Sequence, residues 1–317
     1  MSGPPEKDAV ATTPESSSTD DASLVAEVRR LSSVSGDSGP DDAHVLGAIR
    51  GFAEQFEFWY VRVLCEAVVQ YRNLIIKRVN PFIRRIDCDG LSAEQTASKL
   101  VEDYNSRNFV TAGGWALEAL AVRVGPDNQK SSTTGIDVQR VDPQTGDYHL
   151  YVLKSGLVTR NSDILESLKR NSRQAERLLR QGGQTTHVHA HYAIVAGKTN
   201  GSFEDGINRP SSAQFWSHMT ALSERPALDL VLAIAAVAGR LVRRDVSIHL
   251  AAMKSLVADY IAERSNPELV DWPFLARRNM ESPSAWLGED RARHARALEA
   301  LQRTGYTPMK KTTTKGA

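Results

Sequence analysis

Cysteine is scarce in this chain: Cys65 and Cys88 are the only two in 317 residues. They fall in an apolar helical run and in a loop, without metal-binding spacing, so no disulfide is expected and a reducing, cytoplasmic location fits. Long hydrophobic runs are missing as well, and no stretch reaches the roughly 18 apolar residues that a membrane-spanning helix needs. The opening MSGPPEKDAV lacks a basic start followed by an apolar segment, so neither secretion nor a membrane partner is expected. An excess of charge is the third absence, since 39 Lys and Arg against 38 Asp and Glu leave a net charge of +1. No global field draws the chain to nucleic acid, and affinity for DNA has to come from local clusters of Lys and Arg.

What is present suffices for a substantial core, with 41% hydrophobic residues, and the length allows one large or two small domains. Residues 1–42 are rich in Ser, Asp, Pro, Glu and Thr and read as a disordered N-terminal arm, with one short helical stretch at 22–31. The main domain is expected over 43–245. Its first run is helical, with Val45, Leu46, Ile49, Phe52, Phe56, Trp59 and Val63 three or four apart, and Asn80-Pro81 stops it. A capping box, Ser92 with Gln95, opens a short helix to Tyr104, and Gly113-Gly114 opens another from Trp115 to about Val124. A helix over 162–180, a strand over 186–195, a polar loop over 198–212 and helices over 213–222 and 226–241 follow; the last is so apolar that it must be buried. Residues 246–305 read as a helical C-terminal extension and 306–317 as a basic disordered tail.

The chemistry concentrates between Lys130 and Gly156. The run through Ile136, Asp137 and Val138, the turn Asp142-Pro143-Gln144-Thr145-Gly146 and the return Tyr148 to Lys154 have the signals of a β-hairpin. A lysine on an otherwise apolar strand is costly without an anionic partner, and Asp137 across the hairpin is the natural one for Lys154. An acid and a lysine on rigid strands can bind Mg²⁺ and activate a water. Glu118 lies in a helix whose neighbours Ala116, Leu117, Ala119, Leu120 and Ala121 are all apolar. It either faces solvent or points inward for a purpose, and the acid and lysine downstream favour a metal-site role.

These pieces resemble the core of the PD-(D/E)xK nuclease superfamily and, more closely, the PmeII-type family of type II restriction endonucleases. The matching segments run in order: Asn80-Pro81-Phe82-Ile83, Gly114-Trp115-Ala116-Leu117-Glu118, Lys130-Ser131-Ser132-Thr133-Thr134-Gly135-Ile136-Asp137, Leu153-Lys154-Ser155-Gly156, Asn161-Ser162 and Gln214-Phe215-Trp216. The resemblance implies an α/β (α+β) fold with a small mixed central sheet flanked by helices, and an endonuclease of restriction or phage-defence type acting on DNA. It implies Asp137 and Glu118 as metal ligands, Lys154 as the catalytic lysine, Mg²⁺ as cofactor with Mn²⁺ as substitute, and a homodimer and a cognate methyltransferase as partners. The sequence departs from the pattern at Val152, where the acid of (D/E)xK falls. That departure motivates a second reading, a cleavage-deficient DNA-binding or regulatory subunit, and Val152→Glu is expected to hold or raise metal affinity.

Two basic clusters could meet phosphate. Arg62, Arg72, Lys77, Arg78, Arg84 and Arg85 form either a solvated face or a set of phosphate contacts. The helix over 162–180 exposes Lys169, Arg170, Arg173 and Arg177, which are expected to contact the DNA backbone; Asn171 and Gln174 read base edges or, more simply, are polar surface. In the strand over 186–195, alternation puts His187, His189 and His191 on one face. They could bind a transition metal or serve a histidine-based nicking enzyme, but neither an acidic ligand nor a tyrosine motif follows. The simpler reading is a sheet strand whose histidines meet solvent or neighbours.

Overall fold

The computed structural model describes residues 20–69, 80–154, 162–181, 187–197, 201–202, 207–242, 246–263, 265, 270–280, 295 and 299. Among these residues six strands form one mixed sheet: β1 (Asn128–Lys130), β2 (Val138–Val141), β3 (Tyr148–Lys154), β4 (Val188–Ile194), β5 (Gly201–Ser202) and β6 (Asn208–Arg209). Their order is β1-β2-β3-β4-β6-β5. The first three strands pair antiparallel, β4 runs parallel to β3 and β6, and β5 is antiparallel to β6. The helices are α1 (Asp21–Ser32), α2 (Asp42–Phe56), α3 (Arg62–Val69), α4 (Pro81–Cys88), α5 (Ala93–Arg123), α6 (Ser162–Gln181), α7 (Ser212–Thr220), α8 (Glu224–Val242), α9 (Val246–Ala262) and α10 (Trp272–Met280). This is the α/β class with a small mixed sheet between helices that the sequence implies.

The hairpin between β2 and β3 forms where its turn chemistry places it. The Asp142 carboxylate accepts the N–H groups of Gln144 at 2.8 Å and Thr145 at 3.2 Å. Gly146 then takes a φ of 74°, open to glycine without a Cβ clash. Alternation along β3 sends Leu150 and Val152 to one face, where they meet Ile136, Tyr192, Ile207 and the apolar side of α6 through Leu165, Leu168 and Ala175. Tyr151 goes to the other face, with Val138, Ala193 and Val195, against α5, α7 and α8. The sheet is therefore covered on both faces.

Several boundaries differ from the sequence reading. Residues 21–32 are not part of a disordered arm: Asp20 caps α1 by accepting the Ala22 N–H at 3.3 Å, and Val25 and Val28 are buried. The apolar helix α8 supplies the surface that α1 could not supply for itself. Residues 1–19 and 306–317 lie outside the described residues. The two helices expected around Gly113-Gly114 are one, α5, of 31 residues. Two glycines cost a helix about 1 kcal/mol each relative to alanine, and α5 offsets this by burying Ala112, Ala116, Leu120 and Ala121 around them. The run from residue 42 continues through a π-helical turn, Glu57–Val61, into α3.

A second core joins α3 and α5 to the C-terminal helices, with Leu64, Val68, Leu100, Val101 and Tyr104 meeting Met253, Val257, Tyr260, Trp272 and Leu275. Helices α9 and α10 are thus packed on the main domain, and of the Arg-rich segment at 291–303 only 295 and 299 are described. Cys88 ends α4 and is buried and free, instead of lying in a loop. Among the described residues no helix is long and apolar enough to cross a membrane.

Candidate active site

Asp137 immediately precedes β2. Its own N–H donates to the Tyr151 carbonyl at 2.9 Å, and its Oδ2 accepts the N–H of Leu153 at 2.7 Å. The carboxylate thus replaces a ladder carbonyl at the point where the two strands part, which fixes its direction. Its neighbours reinforce this, because Ile136 and Val138 are buried on opposite sides of the sheet. Lys154 follows Leu153 as the last residue of β3, and its carbonyl accepts the Val195 N–H at 2.8 Å. The expected ion pair between Asp137 and Lys154 is not formed: one oxygen of Asp137 is spent on the Leu153 amide, and among the described residues Lys154 has no carboxylate within ion-pair distance.

Glu118 does point inward, with its side chain 14% exposed, and its Oε1 is met by the ammonium of Lys130, itself 57% exposed. Burial raises the Glu118 pKa above the usual carboxylate value; the negative charge of Asp137 adds to the rise and Lys130 opposes it. The repulsion places the two carboxylates within electrostatic reach of each other. Glu118 of α5, Lys130 at the end of β1, Asp137 before β2 and Lys154 at the end of β3 thereby come to one end of the antiparallel strands. Lys130 was not singled out from sequence as a functional residue. Its only signal was that it opens the segment ending in Asp137.

Val152 is 6% exposed inside the cluster that holds Leu150, Leu165 and Leu168. Its side chain is core, and among the described residues no group of three or more His, Cys, Asp or Glu is arranged to hold a metal ion. Two carboxylates still suit Mg²⁺, which takes one or two protein carboxylates and fills its other positions with water and substrate phosphate oxygens.

Helix α6 carries the basic surface. Glu166, Lys169, Arg170, Arg173, Gln174 and Arg177 line an open groove of about 490 Å³, a single stripe with i, i+3, i+4 and i+7 spacing. Lys169 pairs with Glu166 at 2.8 Å. Arg170, Arg173 and Arg177 have no carboxylate partner among the described residues. Asn171 is not a base reader on this surface: its Nδ2 donates to the Thr134 carbonyl at 2.7 Å. In the other basic cluster, Arg84 is committed to Asp87 and Asp103, Arg62 lies 4.8 Å over the Phe58 ring, and Arg72, Lys77 and Arg78 lie outside the described residues.

The histidines form a stack on the opposite face of the sheet from α6. His149 Nδ1 and His191 Nε2 are 3.0 Å apart, and the His191 ring lies 4.5 Å from that of Tyr151 at 14°. His189 stacks on His149 and reaches Asp147 at 3.4 Å, while His187 is exposed ahead of β4. Burial lowers the pKa values of His149, His218 and His191, the last to about 3. The short contact between His149 and His191 is a hydrogen bond between two rings, and among the described residues no third His, Cys, Asp or Glu completes a metal-holding group with them, which favours the structural reading of this strand over a metal centre. Gln214-Phe215-Trp216 is structural too: Phe215 and Trp216 are fully buried, and the indole N–H donates to the Val195 carbonyl at 3.3 Å.

A mixed sheet flanked by helices is consistent with the restriction-endonuclease-like fold. The model of the family described as type II restriction endonuclease EcoO109I matches residues 57–238, more than half of the chain, and the chain belongs to that family. Its class is therefore that of a type II restriction-type, DNA-cleaving hydrolase. The match upholds the restriction-endonuclease resemblance, though through the EcoO109I family and not the PmeII type. No curated protein matches the chain.

Proposed function

We propose that this protein is a Mg²⁺-dependent DNA endonuclease in which Asp137 and Glu118 hold the metal and Lys154 serves the reacting water. The observation that carries the reading is the clustering of the two carboxylates, one fixed on the Leu153 amide and one pointing inward from α5, beside the last residue of β3. Mg²⁺ bound there, with Mn²⁺ as a substitute, supplies charge neutralisation at the scissile phosphate. Asp137 holds its remaining oxygen toward the site because its partner Oδ2 is tied to backbone. Lys154 orients the attacking water and offsets the charge that builds on the phosphorane-like transition state. Lys169, Arg170, Arg173 and Arg177 on α6 hold the DNA backbone, a role that positions the duplex without reading its bases.

The family supports cytoplasmic action in restriction or phage defence beside a cognate methyltransferase. The exposed aromatic group Phe58, Trp59, Phe109 and Trp115 supports a homodimer. Val152 supports one competing reading, a nuclease fold that binds DNA without cutting it. Plasmid cleavage in Mg²⁺ by the wild type and by Asp137→Asn separates the two. The nuclease reading expects nicked or linear product from the wild type and none from a folded Asp137→Asn, and activity that survives in Lys154→Ala and is lost in His189→Ala would point to histidine chemistry instead.

A further inference from the structure

The segment that delivers Asp137, Ser131 to Ile136, has little secondary structure of its own, and among the described residues three hydrogen bonds hold it. Two are local: Ser131 Oγ accepts the Thr133 N–H at 3.1 Å, and the Thr133 carbonyl accepts the Ile136 N–H at 3.1 Å. The third comes from outside, from Asn171 Nδ2 on α6 to the Thr134 carbonyl at 2.7 Å. The next residue, Gly135, has a φ of 77°, and a Cβ built on it lies 2.7 Å from the same Asn171 nitrogen. Amide and glycine backbone thus fit closely, two residues before Asp137. On α6, Asn171 sits between Arg170 and Arg173, two of the three groove arginines that have no carboxylate partner among the described residues. The helix is otherwise fastened to the sheet by Leu165, Leu168 and Ala175, in the cluster that buries Ile136.

We propose that Asn171 is a positioning residue that couples DNA docking on α6 to cation binding at Asp137. The inference rests on the reading of Asp137 and Glu118 as metal ligands and of α6 as the DNA-contacting helix. A shift of α6 as its arginines take up phosphates is passed by the Asn171 amide to the Thr134 carbonyl, and so to the segment that aims Asp137. Thermodynamic linkage makes the effect mutual: bound duplex tightens cation binding, and bound cation tightens duplex binding by the same factor.

The test is calorimetric titration of Ca²⁺, which avoids cleavage, into the full chain with and without an unrelated duplex, for the wild type, Asn171→Ala and the near-isosteric Asn171→Asp, which lacks the amide donor. The wild type is expected to bind Ca²⁺ several-fold more tightly with duplex present, and both variants to lose at least about threefold of that gain, within the usual range of coupling factors. The melting temperature of both variants, and for the uncharged Asn171→Ala also duplex affinity in EDTA and its salt slope, serve as readouts that a merely structural role would move and this role leaves near wild type; Asn171→Asp, which adds a charge beside the arginines, is judged on its duplex-dependent gain in Ca²⁺ affinity. Should Asn171→Ala unfold, Asn171→Asp, which keeps the shape, decides the matter alone. An unchanged duplex-dependent gain in the folded variants overturns the coupling while leaving the metal reading intact. Absence of any Ca²⁺ binding by the wild type, with or without duplex, overturns both.

Discussion

Lys130 and Glu118 meet as an ion pair across the end of β1 and the last turns of α5. The cation nearest the helix-borne acid is thus a lysine from the strand leading into the Asp137 segment, and Lys154 is left free for a separate task.

Replacing Lys130 by Met removes the group that opposes the raised pKa of Glu118, leaving burial and Asp137 to push it further up. With Glu118 as a metal ligand, as proposed, binding needs its ionised form and weakens as pH falls through that raised value. The acidic limb of the pH profile of Mg²⁺-dependent cleavage is expected to move toward alkaline pH in Lys130→Met, with the alkaline plateau retained. A limb at the wild-type position would separate Glu118 from the metal.

Val152→Glu now carries a different expectation from the one suggested by the motif alone. Its side chain sits among Leu150, Ile136, Leu165, Leu168 and Tyr192, where an unpaired carboxylate costs on the order of 3 kcal/mol. Urea melts should show a fall of that size in EDTA, before any gain in metal affinity can be expressed. An unshifted midpoint would mean that the new carboxylate escapes to the cation site.

How much of this was legible from residues alone varies by element. Helix α6 was read almost to its ends, because its apolar spacing and its polar face are both properties of one continuous segment. The hairpin was read for the same reason: the turn chemistry of Asp142 and Gly146 is local. The division at Gly113-Gly114 failed, since open space around both glycines and packing at the flanking alanines let the helix run on. Lys130 was passed over because its pairing with Glu118 depends on β1, a strand of three residues with no pattern to announce it. His149 was passed over because its partners, His189 and His191, arrive through strand pairing across the whole of α6.

The histidine stack predicts acid lability. His191 is 4% exposed and its pKa is lowered to about 3, so the unfolded chain binds a proton near pH 6.5 that the folded chain refuses. Its contribution is complete above that value and is lost as pH falls toward 3. Linkage puts the loss between pH 7 and pH 5 at about 2 kcal/mol from this group; His149 and His218 add in the same direction, while Asp142 opposes at His149. Chemical denaturation at the two pH values should show this slope in the wild type and a flatter one in His191→Phe.

The double variant Arg173→Ala/Arg177→Ala tests the groove on α6. Each phosphate contact contributes about 0.9 to the slope of log affinity against log salt on duplex DNA, so the slope is expected to fall by up to about 2, equally on two unrelated duplexes in Ca²⁺. A slope that stays at the wild-type value on both would move the DNA surface elsewhere.

Helix α5 spans roughly 46 Å at 1.5 Å per residue, and its two halves serve different interiors. Leu100, Val101, Tyr104 and Ala112 belong to the core shared with α9 and α10, whereas Ala116, Leu120 and Ala121 belong to the core beneath the sheet. Neither interior can melt without stripping a cover from the other. Heating should therefore give one calorimetric transition, and protease fragments that end within this helix should not survive as folded pieces. A single beam that carries Glu118 near one end also makes the geometry of the acid pair answerable to the packing of Met253 and Val257 of α9 against its other half.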